Sequence, residues 1–321
     1  MEWIICDDGT DSIADLVADL PYVRYFRLEE RLSLGKKRNF MHTKCSGDII
    51  AYMDDDDYYP PQRISHGVEM LQKEKERGEK EKEKGKNIKG KGRKENPVAL
   101  IGGCSMLYTY FGGKINSVYQ CGPYGPYHAT AASFIFWRQF LDDHQYSEEA
   151  EFGEESDFLQ KFTVPLVQLD TRQTIVVFSH THNSVNKEKM LTRPHETRML
   201  STNILIGDLI PDSELRTFYT TEMNQALTNY PQGHPKHKGN LMEEISNKRK
   251  SQAIQRAIAD GGSGKCPGCT RLSAELKQAR ETDASKTELI RTLIERLRGK
   301  KEAVSEIIGN TQQIQGIDNK A

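Results

Sequence analysis

Gly47-Asp48-Ile49-Ile50-Ala51-Tyr52-Met53-Asp54-Asp55-Asp56-Asp57-Tyr58-Tyr59-Pro60-Pro61 is the stretch that decides the fold. Its apolar run reads as a buried strand, and the run ends abruptly in four carboxylates. Their mutual repulsion requires either open water or a bound cation. On an extended end, residues i and i+2 share a side, so Asp54 and Asp56 point together while Asp55 and Asp57 face away. Pro60-Pro61 stops the strand before an amphipathic segment near Arg63. The acids therefore sit at the carboxyl end of an αβ unit, where open α/β sheets place their ligands. Mg²⁺, which takes one or two protein carboxylates and fills its shell with phosphate oxygens and water, is a natural target. A solvated acidic turn is the other reading.

Upstream, Trp3-Ile4-Ile5-Cys6 is a short apolar strand that ends in Asp7-Asp8-Gly9-Thr10-Asp11-Ser12. Asp11 or Ser12 can cap a helix carrying Ile13, Leu16, Val17 and Leu20, which Pro21 ends. Val23-Arg24-Tyr25-Phe26 predicts the next strand, and a helix from Leu34 leads to the acidic strand. Downstream, strands are expected at Val98–Ile101, Ser105–Phe111 and Thr174–Phe178, with an acidic helix over Glu148–Leu159. Strand–helix alternation of this kind predicts an α/β fold: a mostly parallel sheet flanked by helices, with a helical C-terminal extension.

The expected organisation is a catalytic-sized domain over 1–190, a variable segment and joint over 191–240, and a mainly helical region over 241–321. Residues 73–97 hold nine Lys, two Arg and six Glu with almost nothing apolar, and read as a charged, flexible, solvated insertion. Leu289, Leu293, Leu297, Val304 and Ile308 can line one helix face, for docking or for coiled-coil self-association.

The net charge of -1 over 321 residues argues against a dedicated nucleic-acid partner. No run of about 18 apolar residues is present to cross a bilayer. Six cysteines, at 6, 45, 104, 121, 266 and 269, form no compact framework and point to a reducing compartment, the cytoplasm. Cys266-Pro267-Gly268-Cys269 has the spacing of half a zinc site, with no second cysteine pair after it.

Taken in order, Trp3 to Asp11, Gly35-Lys36-Lys37-Arg38-Asn39, Gly47 to Asp57, Phe152-Gly153-Glu154-Glu155-Ser156-Asp157 and His180-Thr181-His182-Asn183 resemble the family 2 glycosyltransferases, which have the GT-A fold. The resemblance covers about residues 2 to 185. It implies a nucleotide-sugar donor whose diphosphate is held by Mn²⁺ or Mg²⁺, and a hydroxyl-bearing acceptor. By that pattern Asp8 lies near the nucleoside, Arg38 orients the donor, and Asp54 contacts its ribose side. Asp56 reaches the metal, with Asp57 as the alternative. His180 and His182 both follow the last strand, and His182 is the favoured metal-side imidazole. The base that takes the acceptor proton is Glu155, where the family has an aspartate, with Glu154 as its competitor. The family pattern also has an earlier strand and helix that cradle the base, whereas this chain opens on what resembles the second strand.

The predicted function is metal-dependent inverting sugar transfer. Two other classes fit the same acids: an interaction or scaffold protein derived from such an enzyme, and a metal-dependent nucleotidyltransferase. His128 opens a small-residue turn that suits an acceptor side, and Trp137, among Phe134, Ile135, Phe136 and Phe140, reads as core.

Overall fold

The structure, a computed structural model, describes residues 1–86, 97–113, 115–184, 187–192, 194–231, 234 and 246–247. Met1–Ser246 form one compact unit, and the second, Asn247–Ala321, is described at Asn247 alone. The predicted helical face at 272–308 and Cys266/Cys269 lie outside the described residues.

The chain opens with β1 (Trp3–Asp7), a single turn α1 (Ala14–Val17) and β2 (Val23–Arg27), followed by α2 (Leu34–Lys44), β3 (Ile49–Ala51) and α3 (Arg63–Lys86). Next come β4 (Ile101–Gly103), β5 (Leu107–Phe111), β6 (Ser117–Cys121), β7 (Ile135–Trp137), α4 (Glu155–Phe158), β8 (Leu166–Gln168) and β9 (Val176–Ser179). Then α5 (Pro194–Thr197) and β10 (Met199–Ser201) lead to a helical run of α6 (Ile206–Leu209), α7 (Ser213–Thr217), a π turn (Phe218–Glu222) and α8 (Met223–Thr228). Among the described residues, no helix is long and apolar enough to cross a membrane.

The α/β class is as expected, but the pairing is mixed rather than mostly parallel. One sheet runs β3-β7-β4-β8 and another β10-β6-β5-β9; each has two antiparallel pairings and one parallel one. The turn between Phe111 and Ser117 is too short for a crossover, so β5 and β6 must return antiparallel. An apolar run announces a strand but not its direction, which is why the pattern of hydrophobicity misled on this point. Among the described residues, β1 and β2 pair only with each other, in parallel.

Phe134, Ile135 and Phe136 are fully buried at the centre of the first sheet. Phe134, Phe136 and Phe140 surround Phe158 of α4, whose ring also stacks on Tyr146 with centroids 4.2 Å apart. A short helix of four residues is thus fixed by the ring at its end, since its own hydrogen bonds are too few to hold it. Trp137 packs at the edge of the core with Lys75 across its ring at 5.1 Å, as a structural residue.

The charged segment is not coil from 73 onward, because α3 continues through it to Lys86. Pairs at helical spacing explain this: Lys73–Glu69, Arg77–Glu74, Arg77–Glu81 and Lys80–Glu76 all lie along one helix. Glu74 also accepts the Ala99 N–H at 3.0 Å, which seats the returning chain against the helix.

Candidate active site

The N-terminal half of α2 forms a spine for the segment that leads into α4. Ser33 caps the helix through the Lys36 N–H and donates its hydroxyl to the Glu148 carbonyl. Gly35 lies so close to the next strand of chain that a Cβ there would meet the Ser147 carbonyl oxygen at 1.9 Å. Its N–H donates to the Ala150 carbonyl at 2.9 Å. One turn later, the Asn39 amide donates to the Tyr146 carbonyl at 2.9 Å and accepts the Tyr146 N–H at 3.0 Å, as a neighbouring strand would. Arg31 reinforces the seat through an ion pair with Glu151.

Arg38 projects from this spine into the site. Its Nε donates to Glu154 at 2.9 Å, and its Nη2 lies 3.6 Å from Asp54. Tyr52 and Tyr146 flank the guanidinium, with ring centroids 4.6 and 5.8 Å away. Burial opposes the charge, yet Asp54 and Glu154 raise the guanidinium further above its ordinary range. One cation therefore joins the acidic turn to the acid pair at α4.

Asp54, Asp56 and Asp57 each offer a carboxylate oxygen, and these oxygens lie within 4.8 Å of one another. The alternation expected of a straight strand fails here because β3 ends at Ala51 and the chain turns at Asp55-Asp56. That turn brings Asp57 in with Asp54 and Asp56 and leaves Asp55 exposed. Withdrawal from water, opposed by Arg38 and reinforced by Asp56 and Glu154, pushes Asp54 up to about 6, although 36% of its side chain remains open. Burial and the neighbouring carboxylates raise Asp57 well above the usual range. Asp56 goes the other way despite its burial, held down by a hydrogen bond from His180 and by the Lys187 ammonium. Three convergent hard oxygens in an acid-rich hollow fit a divalent cation, which would relieve the repulsion that raises Asp54 and Asp57.

The imidazole beside this cluster is His180, not His182. His180 Nδ1 accepts the His182 backbone N–H at 3.2 Å, and its Nε2 lies 3.0 Å from Asp56 and 2.8 Å from the Asn183 amide nitrogen. Asn183 donates to the same Asp56 oxygen at 3.2 Å, its amide oriented by the His180 backbone N–H, which donates to Asn183 Oδ1 at 2.8 Å. His182 is turned outward, its Nε2 2.7 Å from the Tyr230 carbonyl. The turn over His180–Asn183 sends neighbouring side chains apart, where an extended backbone would have kept the two histidines together.

Asp8 is engaged within the chain, accepting from Lys37 Nζ and, at 3.0 Å, from the Leu32 N–H. It ties the end of β1 to the approach to α2. Asp7 accepts from Tyr25, Gly9 and Ile13 and pairs with Arg27. Glu154 is buried against Arg38, whereas Glu155, at the first position of α4, is partly exposed. His128 is sandwiched between Tyr124 and Phe162, each with its ring centroid 4.6 Å away.

Sequence reasoning assigned no role to Lys187, whose Nζ donates to the Phe178 carbonyl at 3.0 Å. The Phe178 N–H donates to Asp57 at 2.9 Å, so the Phe178 backbone serves both charges. Tyr59 and Arg63 were also missed; their only local signal was their place just after the acids.

Residues 1–97 match the family described as Glycosyl transferase family 2. Over those residues the chain is similar to the family 2 glycosyltransferases. That segment holds β1, β2, α2, β3, the acidic turn and α3, and so includes Asp8, Arg38 and the three clustered aspartates. Two solved structures are similar to the chain. One is S. aureus TarS 1-349 in complex with UDP-GlcNAc, 16% identical over 55% of this chain and 49% of that one, with a TM-score of 0.37. The other is S. aureus TarS 1-349, 17% identical over 56% and 51%, with a TM-score of 0.35. The chain thus spans about half the length of these structures. No curated protein sequence matches it.

Proposed function

We propose that the chain is a metal-dependent, inverting glycosyltransferase that moves a sugar from a nucleotide-sugar donor to an acceptor hydroxyl. The observation that carries this reading is Arg38 bridging Asp54 of the acidic turn and Glu154 at the start of α4. It couples a cation-holding turn to an acid pair through one buried charge, inside a family 2 segment.

Asp54, Asp56 and Asp57 would hold Mn²⁺ or Mg²⁺, and His180 and Asn183 fix Asp56 for that task. The ion supplies Lewis-acid stabilisation of the departing diphosphate. Glu155 takes the acceptor hydroxyl proton as the new bond forms at the anomeric carbon and the bond to the diphosphate oxygen breaks on the opposite face. Glu154 serves Arg38 instead, because its carboxylate is already committed to that guanidinium. Arg38 orients the donor, and Asp8 stands on the nucleoside side through the β1–α2 connection. Free thiols at Cys6, Cys45, Cys104 and Cys121 support a cytoplasmic setting. Self-association through 272–308 belongs to the same proposal.

The test is a panel of nucleotide sugars offered to the purified chain with Mn²⁺, with Mg²⁺ and with chelator. Metal-dependent release of a nucleoside diphosphate together with sugar transfer is expected. Release of pyrophosphate without sugar transfer would reassign the chain as a nucleotidyltransferase. No metal-dependent binding of any nucleotide would leave the interaction-protein class.

A further inference from the structure

Arg63 is the largest fully buried side chain, 1% exposed, and among the described residues no carboxylate pairs with it. Its Nη2 donates to three backbone carbonyls: Tyr52 at 3.2 Å, Ser133 at 3.1 Å and Phe134 at 2.7 Å. Its Nε and Nη1 are buried with no partner. Burying a full charge on these terms is costly, and an apolar side chain of the same length would fill the space at less expense. The contacts indicate what the charge maintains. Tyr52 is the residue that leads β3 into the acids, while Ser133 and Phe134 form the turn before β7.

Tyr59 repeats the arrangement from the other limb of the same turn. Its hydroxyl accepts the Asp54 N–H at 2.7 Å and donates to the Ala132 carbonyl at 3.1 Å, and the Arg63 guanidinium lies 6.0 Å from its ring centroid. Two backbone groups at the strand end, the Tyr52 C=O and the Asp54 N–H, are thus gripped by two side chains that enter after the acids. Both side chains also bind the 132–134 turn. A loop carrying four adjacent carboxylates would otherwise open under its own repulsion.

We propose that Tyr59 and Arg63 are positioning residues: they hold the acidic turn closed against the 132–134 turn, so that Asp54, Asp56 and Asp57 keep the spacing a divalent cation needs. The idea rests on the cation reading of that turn. Neither residue is among the carboxylates that would hold the ion. Their effect is on where Asp54 leaves the strand, in the way that supporting hydrogen bonds fix metal ligands elsewhere.

The test is Mn²⁺ titration of the full chain by calorimetry, with thermal unfolding of the metal-free protein alongside. Tyr59→Phe removes one hydroxyl and keeps the ring; it is expected to weaken Mn²⁺ binding roughly five- to tenfold. Arg63→Lys keeps the charge, but its ammonium stops one bond short of the Nη2 position that meets the three carbonyls, and a loss of similar size is expected. Val118→Ala, at a buried site in the other sheet, serves as a control that lowers the melting midpoint without touching the acidic turn. Its Mn²⁺ affinity should stay within twofold of the parent. Tyr59→Phe with parental Mn²⁺ affinity overturns the positioning role, as does a Val118→Ala protein that loses affinity equally. A parent chain that binds no divalent cation overturns the metal reading, and this inference with it.

Discussion

Arg38 Nε and Glu154 Oε1 meet at 2.9 Å with both side chains buried, at 7% and 5% exposure. Two acids adjacent in sequence, Glu154 and Glu155, therefore sit in different surroundings, the first buried against Arg38 and the second partly exposed. Removing Glu154 breaks a buried pair, a loss of roughly 3–5 kcal/mol at its upper end, and leaves Asp54 at 3.6 Å to offset the guanidinium. Glu154→Ala is thus expected to lower the melting midpoint by on the order of 10 °C. Glu155→Gln should melt close to the parent while its transfer rate falls roughly 10²- to 10⁴-fold. Calorimetric melting of the two variants beside a transfer assay separates the roles, and a Glu155→Gln protein with parental transfer refutes the base assignment.

The pH response follows from Asp54. Its carboxyl lies near 6 in the folded chain against 3.8 unfolded, so the folded state binds a proton more tightly. Metal-free stability is therefore greatest below about pH 4 for this group and is lost as pH rises through 6. A cation needs the ionised form, so its affinity should run in the opposite sense, falling up to roughly tenfold per pH unit below 6. Asp54→Asn is expected to flatten both profiles, which Mn²⁺ titration and thermal melts from pH 4.5 to 8 will show.

His180 and His182 should behave differently. His180→Ala removes one of two donors that fix Asp56, and supporting contacts of this kind are worth roughly 10- to 100-fold in metal affinity. His182→Ala should leave Mn²⁺ affinity near the parent and instead loosen the segment at Tyr230, to whose carbonyl the imidazole is bound. Equal losses in the two variants would contradict the geometry.

Gly35→Ala tests the spine. A methyl group placed against the Ser147 carbonyl must push the 147–151 segment off α2, at a cost of roughly 1–3 kcal/mol. Limited proteolysis should find new cleavage between 147 and 151, and the variant should melt lower than the parent.

The parts of this fold that were legible in the sequence are those whose signal is local. Apolar runs placed β1, β2 and β9 to within a few residues, and the order of the acidic and basic motifs located Arg38, the clustered aspartates and the Glu154-Glu155 pair. Pairing direction was not legible, because a strand's neighbours are chosen by connections distant in sequence: β7 enters between β3 and β4 from a long excursion through 122–134. Composition misread the 73–86 segment, since counting charges ignores that Glu and Arg or Lys three and four apart support a helix. His180 and His182 could not be told apart because a single turn, closed by the His180–Asn183 hydrogen bonds, decides which ring faces inward. Arg63 gave no warning at all, since a lone arginine after a proline pair looks like any helix start.

Phe178 is a fully apolar core side chain in β9, yet its peptide N–H is bonded to Asp57 and its carbonyl to Lys187. Whatever changes the charge on Asp57 must alter the polarity of the Val177–Phe178 amide, and drawing Lys187 away alters that of the next amide, Phe178–Ser179. In a ¹⁵N spectrum the Phe178 resonance is accordingly a built-in voltmeter for Asp57: shielded from solvent, and able to register occupancy in a sample that turns over nothing.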